Sequence, residues 1–293
     1  MRYPISFLLA SLAATQALAE VPKVLTDFAP VQSLVAQVMG DLGAPATLLP
    51  RGNDVHDFQL RPSQAADLAG ADLLIWIGPQ LTPWLARARD AGQGGAELRL
   101  LAVPQTLLRP VESHGHEAEG SIDPHGWLDP VNAVLWVGAI ADALAAYDPQ
   151  NATTYHANAT LAQTRITALD QSIRAQLAPV MAKPFMVEHN AYGYFTAHFG
   201  LSVIDTLRAS DAAAPGAAHL GQIRETLITG QVVCMFPEIG HDPKQAAQLL
   251  EGSSTRLGAP LDPEGIELAH GPLLYSDLMQ GLADRLVDCL GAP

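Results

Sequence analysis

The segment PFMVEHNAYGYFTAHFGLSVIDT, residues 184–206, decides the fold class of this chain. Its pattern predicts an apolar strand over Phe185–Glu188, a helix over Tyr192–Phe199 and a second strand over Ser202–Thr206. A strand, a helix and a strand in such quick succession are typical of a βαβ unit, in which the two strands run parallel. The segment therefore indicates an α/β fold whose sheet is covered by helices.

The same alternation extends outward on both sides of this segment. It predicts an N-terminal lobe over residues 20–130 and a C-terminal lobe over residues 178–293, each with a parallel sheet. Residues 131–177 are rich in Ala, Leu and Gln and predict a long backbone helix joining the lobes, with a kink or restart at Pro149. Ligands of such sheets bind beyond the carboxyl ends of the strands, which here means the cleft between the lobes. The other predicted strands are Val21–Asp27, Ala46–Leu49, Asp72–Ile77, Leu98–Leu101, Val232–Phe236 and Arg256–Pro260.

The composition is that of a folded, acidic protein. Of the 293 residues, 48% are hydrophobic and 16% charged, which sets disorder aside and gives enough apolar surface for two lobes. Lys and Arg number 16 against 30 Asp and Glu, so the net charge is −14. Phosphate backbones and anionic lipids repel such a chain, so nucleic acid and membrane-surface partners are not expected. A cation or a basic partner surface is favoured instead.

The N-terminus predicts a cleavable export signal over residues 1–19. Arg2 provides a positive start, Ile5–Ala14 is apolar but too short to span a bilayer, and the triplet ALA at 17–19 is a small-residue cleavage site. No later apolar run reaches the roughly 18 to 20 residues that a membrane span needs. We therefore expect a soluble, exported protein without membrane insertion.

Cys234 and Cys289 are the only cysteines in the sequence. An even number in an oxidising compartment makes a disulfide the economical interpretation, and two free buried thiols are the alternative. A bridge would tie the last predicted helix to the sheet of the C-terminal lobe.

Three histidines stand at predicted element boundaries, and common enzyme motifs are missing. The sequence has no GxxxxGK[ST] loop, no GxSxG elbow and no HExxH helix. His56 lies in a polar loop before a helix, His125 precedes the linking helix, and His189 directly follows a strand. Three imidazoles make up most of a tetrahedral Zn²⁺ shell. A single histidine in such a position is more often a capping or surface residue than a metal ligand. Spacing alone therefore leaves both a structural role and a metal-binding role open.

Four segments carry a resemblance to a known family. The chain resembles the periplasmic solute-binding proteins of ABC-type zinc uptake systems. The matching segments are GNDVHDFQLRPSQ (52–64), DPHGWLDP (123–130), EHNAYGYFTAHFGL (188–201) and the C-terminal stretch 232–290 with both cysteines.

The resemblance implies a bilobal protein that holds Zn²⁺ in the interlobe cleft and delivers it to a membrane permease. It places the metal ligands on His56, His125 and His189, and the family disulfide on Cys234 and Cys289. It also implies a periplasmic monomer that is not an enzyme.

The chain departs from the family pattern at several positions. Some relatives have a ligand Glu directly before the first His, where this chain has Val55. Manganese- and zinc-binding cousins use an Asp from the C-terminal lobe, so Asp262 is a candidate fourth ligand, with water or a turn role for Asp262 as alternatives. Glu188 precedes the third histidine and either orients it or faces water as a strand-end residue.

A short loop over residues 112–121 contains His114 and His116 among acidic residues and glycines. It is predicted to be a flexible surface loop. Its histidines either bind a second, weaker Zn²⁺, or close over the cleft and fill the open coordination position, or have no metal role. The remaining histidines are assigned to surfaces or helices without function: His156, His198, His219, His241 and His270.

Two further functions compete with zinc transport. Three histidines and a water also form the shell of zinc hydrolases, although the sequence offers no clear general base beside the metal. A manganese carrier of the same fold is the other alternative, which is disfavoured because Mn²⁺ prefers oxygen ligands.

Overall fold

The computed structural model describes residues 21–56, 58–92, 94–111, 121–208 and 216–292. The predicted signal over residues 1–19 and the loop histidines His114 and His116 lie outside the described residues.

The first lobe contains a four-stranded parallel sheet in the order β2-β1-β3-β4. Three helices cover it, and each has a proline in its first turn, where the missing N–H costs no hydrogen bond. β4 lies two residues earlier than predicted because Ala96, not Leu98, pairs with Leu73 of the neighbouring strand. The elements are β1 Val24–Thr26, α1 Ala29–Met39, β2 Ala46–Thr47, α2 Pro62–Gly70, β3 Leu73–Trp76, α3 Pro83–Asp90 and β4 Ala96–Arg99.

Two helices occupy the linking segment. α4 (Pro130–Tyr147) and α5 (Ala152–Leu177) are separated by the restart that the sequence predicts at Pro149. They run antiparallel, since Gln163 Nε2 donates to the carbonyl of Val134. α5 packs against α1 of the first lobe and against the last helix of the second. It is therefore the long helix that joins the lobes.

By length and composition, α4 is long and apolar enough to cross a membrane. It is the one such helix among the described residues. The expectation that no run after the N-terminus reaches this length was therefore wrong. The helix contacts both α1 and α5, and Trp136, Ile140 and Leu144 are fully buried. Packing against these two helices accounts for the apolar residues on the buried part of α4.

The second lobe repeats the topology of the first. Its parallel sheet has the order β6-β5-β7-β8, with β5 and β7 in the centre. The elements are β5 Phe185–His189, α6 Gly193–Phe199, β6 Val203–Arg208, α7 Ala217–Ile228, β7 Cys234–Phe236, α8 Lys244–Leu249, β8 Arg256–Leu257 and α9 Leu274–Gly291. The predicted class, two α/β lobes with parallel sheets joined by a long helix, is confirmed. The lobe boundaries given above stay a prediction.

A disulfide joins Cys234 of β7 to Cys289 of α9. This confirms the pairing, and no free cysteine occurs in the described ranges. The bridge ties the last helix to the C-terminal sheet, as the sequence predicts.

Direct contacts hold the lobes together beside the cleft. Trp127 Nε1 donates to the carbonyl of Pro263 at 2.8 Å, and the Tyr275 hydroxyl donates to the carbonyl of Trp127 at 3.0 Å. Trp127 and Tyr275 are fully buried, so these polar groups are satisfied across the lobe boundary. Because such contacts flank the cleft, a wide opening would have to break buried hydrogen bonds.

His198 lies in a helix, one of the two places that the sequence suggested, but its side chain is largely buried. Its side chain, 10% exposed, lies on α6 between Asp129 at the start of α4 (3.2 Å) and Asp170 of α5 (2.7 Å). Arg174 of α5 also contacts its ring at 2.9 Å. Burial lowers the pKa of His198, but the hydrogen bonds and charges of the two carboxylates outweigh it, so the pKa is raised above its ordinary value.

The raised pKa of His198 predicts a pH-dependent stability. Its protonated form is favoured in the folded state, so this contribution is complete below the unfolded pKa of about 6.5 and is lost as the pH rises through the folded pKa. The free energy of unfolding of the wild type, relative to His198→Gln, should therefore fall between about pH 5.5 and pH 9. Urea unfolding of both proteins at each pH measures this difference.

His156→Gln is the matched control, since the His156 side chain is 52% exposed. Its stability relative to the wild type should change little over the same pH range. An equal stability gap for His198→Gln at both pH values would contradict the prediction.

Candidate metal centre

His56 lies in the loop between β2 and α2. The side chain of Asp54 accepts a hydrogen bond from the His56 backbone N–H at 2.7 Å, which makes a tight local turn. Trp84 of α3 donates from Nε1 to the carbonyl of Val55 at 2.9 Å, and Val55 itself is fully buried. These contacts fix the loop to the first lobe and direct its histidine toward the cleft.

His125 lies just before the short 3-10 helix Gly126–Leu128 that leads into α4. Asp123 accepts from the backbone N–H of His125 at 2.9 Å and pairs with its Nδ1 at 2.7 Å. Because a carboxylate only accepts, Nδ1 carries the proton and Nε2 carries the lone pair. Nε2 is buried and has no hydrogen-bond partner in the part of the chain that the structure describes.

Burial lowers the pKa of His125, and the nearby His189 and His56 lower it further, against the opposing influence of Asp123. The net lowering favours the neutral imidazole. Neutral imidazole is the form that binds a metal ion, so the site is prepared for a cation rather than for a proton.

His189 ends β5 at the carboxyl edge of the second sheet, and only 1% of its surface is exposed. Its Nδ1 pairs with Glu238, whose Oε2 lies at 2.9 Å. Tyr192 donates from its hydroxyl to the same oxygen at 2.9 Å. Burial and the charge of Glu238 raise the pKa of Tyr192 well above its usual value, so it stays a neutral donor. The carboxylate thus fixes the ring orientation and tautomer of His189.

The three histidines converge although they come from three distant segments. The His125 ring lies 5.3 Å from that of His56 and 5.2 Å from that of His189, between centroids, and the remaining pair is 6.0 Å apart. One donor atom from each residue lies within 4.8 Å of the other two. Tetrahedral nitrogen ligands at about 2.05 Å from Zn²⁺ stand about 3.3 Å apart, so the rings need to close by no more than about 1.5 Å.

The site contains carboxylates that the sequence reasoning missed. Asp123 and Glu238 each pair with the Nδ1 of a cluster histidine. The sequence did contain a signal for Glu238. This residue follows β7, which lies next to β5 in the sheet, and His189 ends β5. Both residues therefore lie at the carboxyl edge of the same parallel sheet. For Asp123, the signal was its position two residues before His125.

Glu188 differs from its sequence interpretation, whereas Asp262 makes the turn that the sequence offered as an alternative to a ligand role. Glu188 does not face water: it is 2% exposed and accepts from the backbone N–H of Glu238 at 3.0 Å. Asp262 accepts from the backbone N–H groups of Ile266 at 2.8 Å and Glu267 at 3.2 Å. It is not among the residues whose donor atoms converge. Its predicted role as a ligand stays a prediction.

The sequence of this chain matches a family model over residues 24–289: periplasmic component A of the zinc-uptake complex, ZnuA. The chain belongs to this family.

A curated relative supports the ZnuA assignment over the full length. The high-affinity zinc uptake system protein ZnuA of Paracoccus denitrificans (strain Pd 1222) is 44% identical, and the alignment covers 99% of both chains.

Solved structures share the fold of this ZnuA-family chain. A zinc-bound ZnuA with residues 138–173 deleted superposes with a TM-score of 0.77 at 24% identity, covering 93% of this chain and 99% of the other. The manganese-bound periplasmic metal-binding protein of Candidatus Liberibacter asiaticus gives 0.78 at 21% identity, covering 92% and 99%. At these identities the likeness concerns the fold.

Proposed function

We propose that this chain captures Zn²⁺ in the periplasm with His56, His125 and His189 and delivers it to the membrane permease of an ABC transporter. One observation carries the proposal: three imidazoles, two from the first lobe and one from the second, bring their donor atoms within 4.8 Å of one another. Membership of the zinc-uptake family supports the choice of cargo.

The donor set suits zinc better than manganese. Zn²⁺ binds imidazole nitrogen readily and accepts four ligands in a tetrahedral arrangement, whereas Mn²⁺ prefers oxygen and more ligands. The carboxylates Asp123 and Glu238 already pair with imidazoles. They raise the basicity of those rings and add negative charge around the cation without occupying its shell.

The arrangement also supports carriage rather than catalysis. A zinc hydrolase needs an open position on the metal, a general base and a substrate pocket. Here His125 and His189 are 5% and 1% exposed, and the carboxylates beside them orient their rings. The family is one of binding components for transport.

Binding a cation between the lobes gives transport its direction. A ligand shifts a conformational equilibrium only through different affinities for the two states. Zn²⁺ contacts ligands on both lobes only when the cleft is closed, so the loaded chain presents a closed shape to the permease. We expect the monomer to be the unit that docks.

Metal analysis of the untagged protein, purified without added metal, tests the cargo. We expect about one Zn²⁺ per chain, retained against an excess of Mn²⁺. Protein that retains no zinc, or that exchanges it for manganese, would overturn the assignment. Turnover of an ester or phosphoester substrate that a chelator abolishes would instead favour the hydrolase.

A further inference from the structure

We propose that Arg51 is a positioning residue that holds the loop carrying His56 against the second lobe and thereby slows the release of the bound cation. This inference rests on the proposed function and concerns a residue that is not a metal ligand. Two segments take part in it. The His56 loop is residues 50–56 of the first lobe, and the acceptor turn is residues 262–267 of the second lobe.

The guanidinium of Arg51 reaches across the lobe boundary. Its Nη2 donates to the carbonyl of Glu267, and its Nε donates to the carbonyl of Ile266 at 3.4 Å. These acceptors lie 216 and 215 residues further along the chain. A planar guanidinium that donates twice to successive carbonyls is fixed in orientation as well as in position. One side chain therefore joins the His56 loop to the other lobe.

The acceptor turn is a rigid partner for this side chain. Asp262 is 3% exposed and accepts from the backbone N–H groups of Ile266 at 2.8 Å and Glu267 at 3.2 Å. Trp127 donates to the carbonyl of Pro263 in the same turn. The two carbonyls that accept from the guanidinium thus belong to residues whose N–H groups are already held. Little further ordering of the turn is needed when Arg51 binds it.

The His56 loop is short and internally bonded, so its two ends move together. Asn53 donates from Nδ2 to the backbone carbonyl three residues before it at 3.0 Å. Asp54 accepts from the backbone N–H of His56 at 2.7 Å. Only four residues separate Arg51 from His56, and both bonds lie in this stretch of the chain. Holding the guanidinium therefore also restricts the imidazole.

The Arg51 contacts differ in burial from the other bonds that cross the lobe boundary. The Tyr275 backbone N–H donates to Ser33 Oγ at 3.0 Å, and both residues are fully buried, as is Trp127. The Arg51 bonds are exposed. Water replaces an exposed hydrogen bond at little cost, whereas a buried polar group without a partner is expensive. The Arg51 contacts are therefore the ones that can break while the buried bonds stay intact.

The positive charge of Arg51 makes this role distinguishable from simple electrostatics. Burial lowers the pKa of His270, and the charge of Arg51 lowers it further, so this charge acts on the surface beside the acceptor turn. A positive charge near a cation site repels the cation. Electrostatics alone predicts that removing Arg51 tightens zinc binding. The positioning role predicts the opposite, because the His56 loop would leave the cation more often.

The test compares Arg51→Gln with Arg87→Gln, which removes the same charge from an exposed position on α3 of the same lobe. Each apo protein is first melted to show that it folds. The rate of Zn²⁺ release is then measured by stopped flow into an excess of a chromophoric chelator. The visible spectrum of the Co²⁺-loaded protein reports whether the set of ligands is unchanged. Arg51→Lys, which keeps the charge but loses the planar fork, is the second variant.

For Arg51→Gln we expect zinc release to be on the order of tenfold faster than in the wild type, the effect of losing one or two exposed hydrogen bonds. The Co²⁺ spectrum should stay that of the wild type, because no ligand is lost. Arg51→Lys should release zinc at a rate between the two, and Arg87→Gln should release it at the wild-type rate.

Three results would overturn the proposal. They are a wild-type release rate in Arg51→Gln, slower release with tighter binding, and equal acceleration in Arg87→Gln. The second would show that Arg51 only repels the cation, and the third would show a general effect of charge. Failure of the wild type itself to bind Zn²⁺ would overturn the proposed function instead.

Discussion

Replacing His125 by alanine should lower the affinity for Zn²⁺ by about 100- to 1000-fold. Structural zinc sites bind with roughly 10–16 kcal/mol, so one of four ligands accounts for about 3 kcal/mol, and each 1.4 kcal/mol is tenfold. His125 is the central ring of the cluster, within 5.3 Å of both others, and its buried Nε2 has no hydrogen-bond partner among the described residues. Its loss therefore removes a ligand and leaves the carboxylate of Asp123 without its imidazole partner.

Calorimetric titration with Zn²⁺ measures the loss, and thermal melting provides an independent readout. Ligand binding to the folded state stabilises it in proportion to the logarithm of ligand concentration over Kd, so the zinc-induced rise in Tm should shrink markedly in the variant. His156→Ala, an exposed histidine on α5, should retain wild-type affinity. Unchanged zinc binding by a folded His125→Ala protein would refute the three-histidine site.

Replacing Cys289 by serine should lower the free energy of unfolding by about 4 kcal/mol and the Tm by on the order of 10 °C. The bridge closes a loop with a sequence separation of 55 residues, and removing it returns chain entropy to the unfolded state. Zinc stoichiometry should not change. Cys234 begins β7, whereas Glu238 and the metal cluster lie beyond the opposite, carboxyl end of the strands.

Reduction of the wild type serves as the matched control for this variant. A reductant should lower the Tm of the wild type to about that of Cys289→Ser and leave the variant unaffected. Equal melting temperatures for the oxidised wild type and the variant would show that the bridge does not stabilise the fold in solution. A change in zinc stoichiometry would show that the disulfide and the metal site are coupled.

The alternation of strands and helices was predictable because each element buries a face whose periodicity is local. The segment 184–206 contains β5, α6 and most of β6 close to their predicted bounds. His189 could be placed at a strand end for the same reason. The resemblance to zinc-binding proteins then singled out His56, His125 and His189 together, which spacing alone did not.

The sequence by itself determined the elements, the two parallel sheets, the paired cysteines and the three histidines at element boundaries. Only the tertiary structure decided which groups far apart along the chain meet: His189 with Glu238, His198 with Asp129 and Asp170, and Glu264 with His56. Local patterns report whether a residue is buried, but they do not report its neighbour. Contacts between residues far apart along the chain depend on how whole elements pack, and one helical turn more or less between them would change the partner.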